Sequence, residues 1–456
     1  MKQLDFGKGS IFKNIISAAL PMLIAQLVNL LYNLIDRIYI GRIPEVGTKA
    51  LGGLGLAFPM IIIITAFTNL YSGGGAPLFA IARGEGNEKR AQAILKLTFL
   101  LEFFTAIIIM AVGIAATEPI LRLFGAGDEA MIYALPYLRI YLLGTVFSML
   151  AIGMNPFINA QGFPTYGMIS VIVGAVLNLI LDPIFIFPMG LGISGAAIAT
   201  IISQCISAVV VLSILKSKKM PIRLKVFNRN NKRIINDRNK ALHITLSITS
   251  LGLSSFVMQF TNALVNIVCN AVLSRTGGYV YVSVMTVLSS LRQVFETPIL
   301  AICEGSSPMI SFNYGAANYD RVRKSVKVMS ALSLVYTFII WILMMLFPAV
   351  FIAIFSNDKT ILLDAIPATR IYFCLFMFMT LQFIGQTTYK AISNRKRSIF
   401  FSIFRKVILV IPLTYILPMF FANPTNGVFA AEPLSNLIGG SASFFTMLIY
   451  IYKLGK

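Results

Sequence analysis

Residues 165–215 read TYGMISVIVGAVLNLILDPIFIFPMGLGISGAAIATIISQCISAVVVLSIL, and Asp182 is the only Asp, Glu, Lys or Arg among them. A helix of about 20 apolar residues crosses a hydrocarbon layer of about 30 Å. This stretch holds two such runs, 165–187 and 192–215. The same reading extends in both directions and predicts twelve: 14–40, 53–82, 91–117, 130–160, 165–187, 192–215, 244–273, 280–313, 322–355, 360–392, 398–421 and 427–452.

Composition agrees. Of 456 residues, 57% are hydrophobic and 12% charged, with a mean hydropathy of +0.82. A soluble domain carries about 25% charge, so the chain lacks the polar surface to coat several water-soluble domains. Spans without a β-barrel pattern must be helical, because only internal pairing satisfies the backbone in lipid. The fold class is therefore an all-α polytopic membrane protein.

The 38 Lys and Arg outnumber the 17 Asp and Glu, for a net charge of +21. No polar basic domain exists to hold nucleic acid, and none is expected as a partner. Basic residues mark the cytoplasmic side of a membrane protein. With the N-terminus inside, 27 Lys and Arg fall on cytoplasmic segments, among them Lys2 and Lys456, against Arg42, Lys49, Arg122, Arg275 and Lys359 outside. Both termini are expected in the cytoplasm. The first span is read as retained, since no A-x-A-like cleavage pattern follows it. Cys205, Cys269, Cys303 and Cys374 each lie in an apolar run without metal-site spacing, and are expected to be small buried residues.

One long polar stretch, Lys216–Lys240, holds ten Lys and Arg and a single acid, Asp237. It divides the chain into a first lobe, 1–215, a basic cytoplasmic linker, 216–243, and a second lobe, 244–456. The halves are related by a shift of 231 residues. It takes Pro77, Gly84, Asn87 and Arg90 to Pro308, Gly315, Asn318 and Arg321, Arg139-Ile140-Tyr141 to Arg370-Ile371-Tyr372, and Phe124 to Phe355. Six spans per half make both enter from one side, a parallel repeat of the kind secondary transporters use.

No G-x-x-x-x-G-K-[ST] is present, so no ATP site of that type is expected. His243 is the only histidine, which argues against His-based metal or nucleophilic chemistry. Gly73-Gly74-Gly75 lies inside a span and reads as a close helix contact or hinge. Charges at mid-bilayer cost roughly 2.5–3.5 kcal/mol and mark function. The set is Asp36, Glu102, Arg139, Asp182, Arg292, Glu296, Glu304 and Arg370. Arg37, Arg405 and Lys406 are expected to snorkel from span ends.

Asn178 and Asp182 are four residues apart and share a helix face. Pro183 cannot bond the Leu179 carbonyl. That carbonyl, an amide oxygen and the carboxylates of Asp36 and Asp182 are hard ligands for a small cation. The two acids in one dry pocket would equally share a proton. The plainer alternatives are a local kink at Asp182 and an Asp36–Arg37 ion pair. The shift puts Ile267 and Leu413 where the acids stand, so one cation site, in the first half, is expected.

These residues resemble the multidrug and toxic compound extrusion (MATE) family, in its bacterial multidrug-exporter branch. The resemblance covers essentially the whole chain. It rests on Asp36, on Asn178-x-x-x-Asp182-Pro183, on Gly192-x-x-Gly195-Ala196-Ala197-x-Ala199-Thr200 and on Arg83-Gly84-x-Gly86-Asn87. It implies two six-helix lobes in a V-shaped pair, and export of amphipathic, often cationic compounds in exchange for H⁺ or Na⁺ by alternating access. It implies no cofactor and no enzyme activity. The family's cation network falls on Asp36, Asn178, Asp182 and Thr200, with Tyr137 a looser match, and any Na⁺ would sit at Asp36, Asn178 and Asp182. A monomer in lipid of the bacterial cytoplasmic membrane is expected. Some members carry acids on the seventh and tenth helices; this chain has Gln259, Asn262, Asn266 and Gln382 there.

Cavity candidates are Glu304, Glu296, Gln259, Asn262, Gln26 and Asn33. Glu296 follows Arg292 by four residues, and an ion pair is the alternative there. Glu304 has no basic neighbour at helical spacing. Glu102 has no motif around it and reads as packing or interface. A lipid-linked oligosaccharide flippase of the same superfamily is the competing function, favoured by Arg139, Arg292 and Arg370. An intramembrane enzyme or a scaffold is the remote one.

Overall fold

A computed structural model describes residues 3–225, 238–354 and 359–455. Among them are helices α1 (Ile11–Gly41), α2 (Gly47–Gly84), α3 (Glu88–Ala115), α5 (Pro164–Ile186), α6 (Gly192–Lys216), α7 (Arg238–Thr276), α8 (Gly278–Gly315) and α9 (Tyr319–Leu346). The helices α11 (Arg395–Met419) and α12 (Pro424–Lys453) close the chain. Two further spans are bent. α4 joins Asp128–Leu143 to Thr145–Asn159 at 56°, and α10 joins Lys359–Phe373 to Phe376–Ala391 at 44°. α8 carries Arg292, Glu296 and Glu304, yet its 38 residues reach about 57 Å, ample for a span. The protein is a twelve-helix, two-lobe, multi-pass membrane protein.

The 231-residue shift holds in the backbone. It takes the starts of α2 and α3 to those of α8 and α9, and Pro164 to Arg395 at the start of α11. Asn87 and Asn318 both cap the following helix, accepting from the Arg90 and Arg321 N–H at 3.0 and 3.2 Å. The breaks in α4 and α10 also correspond. At the first stands Gly144, where a Cβ would meet Ile201 Cγ1 at 2.7 Å. At the second, Trp341 Nε1 donates to the Cys374 carbonyl at 3.0 Å, taking up a bond the broken helix leaves open. That break exposes Cys374, and Cys205 is half-buried, so only Cys269 and Cys303 are buried as expected. Phe355 and the linker residues 226–237 lie outside the described residues, as do Lys2 and Lys456.

Two compact units form, and neither is cut at the linker. One holds Met1–Asp5 and Leu20–Gly252, the other Phe6–Ala19 and Leu253–Lys456. Small residues explain the division. In the first unit, Gly74 of α2 abuts the backbone of Ile248 and Gly252 of α7, and Gly252 abuts the Leu70 carbonyl. In the second, Gly305, the shifted counterpart of Gly74, abuts the backbone of Ala19 on α1, 2.8 Å from where its Cβ would stand. Close backbone approach at small residues is how helices associate in lipid. Gly252→Ala is expected to destabilise the protein by about 1–3 kcal/mol through overpacking. Thermal unfolding in detergent measures this.

The linker begins as a docked segment rather than a free polar loop. Met220, Ile222 and Leu224 are buried in alternation, the Ile222 N–H donates to Gln161 Oε1 at 2.9 Å, and the Leu224 N–H to the Leu215 carbonyl at 2.9 Å. Gly75 packs on Thr98 and Phe157, so the glycine triplet is a packing contact at two of its three positions.

Candidate functional site

The first unit brings α1, α4, α5 and α6 together around two acids. α5 runs unbroken through Pro183 to Ile186, so Asn178 and Asp182 stay on one face. Asn178 Nδ2 donates to Asp182 Oδ1 at 3.0 Å and reaches Thr200 Oγ1 at 3.5 Å. Thr200 donates its own proton to the Ala196 carbonyl at 2.9 Å, which leaves its oxygen as an acceptor. The carboxyl of Asp36 on α1 lies within hydrogen-bonding reach of that of Asp182. Arg37 points elsewhere, 5.4 Å over the Phe58 ring, and Asp36 makes no ion pair among the described residues. Tyr137 is buried within electrostatic reach of both acids and stacks on Tyr141 at 6.1 Å.

The site is rich in acceptors and poor in donors. Asp36 Oδ1, Asn178 Oδ1, Asp182 Oδ2 and Gln204 Oε1 are buried without a hydrogen-bond partner. Buried polar atoms are normally paired, and unpaired oxygens on Asp36, Asn178 and Asp182, with the two carboxyls within reach of each other, fit a proton or one hard cation. No group of three or more His, Cys, Asp or Glu suited to a metal occurs among the described residues, so side-chain amide, hydroxyl and phenol oxygens would complete any cation shell. Sequence reasoning missed Tyr32, Tyr141 and Gln204. Tyr32 lies within electrostatic reach of Tyr141 and both acids, and Tyr141 bonds Gln204 and Ser148. Tyr32 precedes Asp36 by four residues, a signal the helical period offers.

The cavity candidates are more scattered. Asn33 is exposed and donates to the Asn29 carbonyl at 2.7 Å. Gln26, Gln259 and Asn262 are half-buried. Glu304 is exposed, and its charge acts on Lys390 of α10, a neighbour that spacing along α8 could not reveal. Glu102 is fully buried against Gly153 with neither carboxyl oxygen bonded.

The second unit has a buried ion cluster in place of an acid pair. Glu432 Oε1 on α12 meets Arg292 at 3.0 Å, Arg405 at 3.2 Å and Lys406 at 2.7 Å. Arg292 also reaches Glu296 at 3.5 Å and donates to the Tyr372 hydroxyl at 2.9 Å. Arg405 donates to Asn436 Oδ1 at 2.5 Å. The expectation that Arg405 and Lys406 snorkel is therefore wrong, as they are 6% and 2% exposed. The physical reason is the π-helical turn Phe404–Val410, which widens α11 and swings both cations inward. A second π-helical turn, Asn436–Gly440, does the same in α12 for Asn436. Tyr372 is the counterpart of Tyr141 at the 231-residue shift, so the cluster occupies the part of the repeat that holds the acid pair in the first unit.

The chain is similar to a multidrug export protein, MepA, of Staphylococcus saprophyticus, at 23% identity over 98% of this chain and 95% of that one. It is similar in fold to a solved multidrug resistance MATE family transporter of the MOP superfamily in an outward-facing conformation. The TM-score is 0.90 at 22% identity, with all of both chains covered. A MOP superfamily transporter from Pyrococcus furiosus, described as having a binding pocket of reverse polarity, gives a TM-score of 0.91 at 22% identity over all of both chains. The MatE family model matches twice, once in each half, over residues 21–184 and 254–416. With most of its length so matched, the chain belongs to the MatE family of transporters.

Proposed function

We propose that the protein is a secondary antiporter exporting amphipathic, often cationic compounds in exchange for one small cation, H⁺ or Na⁺. The observation that carries the reading is the Asp36–Asp182 contact with its unpartnered oxygens, in a chain related to multidrug exporters. Two buried carboxylates repel, so the pair holds a proton or a cation. Losing or gaining that cation reshapes α1, and Pro21 inside it is a natural bending point. The driving force suffices: about 2.3 kcal/mol per charge per 100 mV sustains roughly a fifty-fold gradient. The Lys and Arg asymmetry supports a bacterial cytoplasmic membrane with both termini inside, and the chain is taken to act as a monomer.

The test is dye uptake into inverted vesicles under an imposed pH or Na⁺ gradient. Uptake driven by one of them is expected, and that gradient names the ion. Uptake that needs ATP, or that ignores both gradients, would overturn antiport. Glu304→Gln should weaken export of cationic dyes by several-fold and leave neutral compounds unchanged, since an exposed carboxylate on a span discriminates by charge. Equal effects on both kinds would remove Glu304 from the substrate path. The flippase alternative loses one support, because Arg292 is tied up in ion pairs with Glu296 and Glu432.

A further inference from the structure

The repeat gives α3 and α9 the same basic start and then treats it differently. In α3, Arg90 is held by Glu85 at 2.7 Å. The 231-residue shift puts Ala316 where Glu85 stands, so its counterpart Arg321 lacks that acid. Arg321 donates instead to the Phe6 carbonyl at 3.0 Å and the Lys8 carbonyl at 2.6 Å. Asn313 adds a bond to Phe6 at 2.9 Å, and the Phe6 ring meets that of Phe312 at 6.4 Å. The segment before α1 is thereby pinned across the start of α9.

A cavity of about 570 Å³ opens between them, within the size range of small-ligand pockets. Arg321, Lys324 and Lys327 line one side. Asp320, the acid on that wall, is already paired with Arg323 at 2.9 Å. Lys324 and Lys327 are exposed and make no ion pair among the described residues. Ser10, Ile11 and Phe12 form the other side, at the start of the 31-residue α1. Ser10 Oγ accepts from the Lys13 N–H at 3.4 Å, and the N–H groups of Ile11 and Phe12 begin the helix, where backbone donors and the dipole favour an anion. Phe12 is 56% exposed and offers an apolar ledge beside these charges.

We propose that this cavity holds the phosphate headgroup of an anionic phospholipid, with its acyl chains leaving over Phe12. Three unneutralised cations and a helix N-terminus select the anion, and the adjoining apolar ledge at the end of a span selects a lipid over a free phosphate. Basic pockets at the ends of spans recognise such headgroups. The counterpart in the first unit carries less of this charge, because Glu85 occupies Arg90 and Ala93 stands where α9 has Lys324. The site is separate from the acid pair, and its test reads lipid retention rather than transport, so either reading can fail alone.

The experiment is native mass spectrometry of the full chain in detergent, titrated with phosphatidylglycerol, with phosphatidylcholine and inorganic phosphate as the other probes. Wild type should retain one phosphatidylglycerol in preference to phosphatidylcholine. K324Q/K327Q should weaken that retention about twenty-five-fold, at about five-fold per lysine. K89Q/K96Q, at the corresponding start of α3, should match wild type. Equal retention of both lipids, or an unchanged K324Q/K327Q, would overturn the proposal. Displacement of the lipid by inorganic phosphate at equal concentration would assign the cavity to a free anion and overturn it as well.

Discussion

Replacing Glu432 by alanine is expected to destabilise the protein by about 3–5 kcal/mol. One carboxylate oxygen holds Arg292, Arg405 and Lys406 at 3.0, 3.2 and 2.7 Å, and the latter two cations are nearly inaccessible to solvent. Removing it strands Arg405 and Lys406 without an acid and leaves Arg292 with Glu296 alone, at 3.5 Å. The cost comes from those uncompensated charges and not from the attraction lost. Glu296→Ala is the comparison. Glu296 meets only Arg292, at 3.5 Å, and its side chain is 21% exposed, so its loss should cost about 1 kcal/mol or less. Thermal unfolding of both variants in detergent measures the difference. Equal small losses would mean that water reaches the cluster.

This cluster also marks the limit of what the sequence conveys. Spans are legible because lipid demands long uncharged runs, and the repeat because one shift aligns Pro77, Gly84, Asn87 and Arg90 with their counterparts. Asp36 and Asp182 stand out for the same reason, as acids in apolar runs. Glu432 offers an equal signal, being the only charge in the run 427–452, and the reading above passes over it. The inward turn of Arg405 and Lys406 was not legible, because it depends on a π-helical turn that no residue type announces. The bend in α10 is similar: Gly144 signals the break in α4, but Cys374 and Leu375 carry no such mark. Charges that act across helices, such as Glu304 on Lys390, lie outside any periodicity.

Asp36→Asn is expected to reduce coupled export by at least a hundred-fold while the protein still inserts and folds. Asparagine keeps the shape of the side chain and removes the exchangeable charge. Asp182→Asn should do the same, since its carboxyl lies within hydrogen-bonding reach of that of Asp36 and accepts from Asn178 at 3.0 Å. The double variant should be little worse than either single one, because groups that act as a unit are not additive. Dye resistance in cells and uptake in vesicles measure all three. Two independent losses that multiply would separate the acids into different steps.

Substrate affinity of the purified protein, followed against pH at fixed Na⁺ and against Na⁺ at fixed pH, tests the central claim most directly. Wild type should lose affinity as one of these cations rises, because cation entry at the Asp36–Asp182 pair and substrate binding exclude one another. Asp36→Asn and Asp182→Asn should each bind substrate with an affinity that no longer responds to that cation. Single variants that keep the wild-type dependence would contradict it and place the cation site elsewhere.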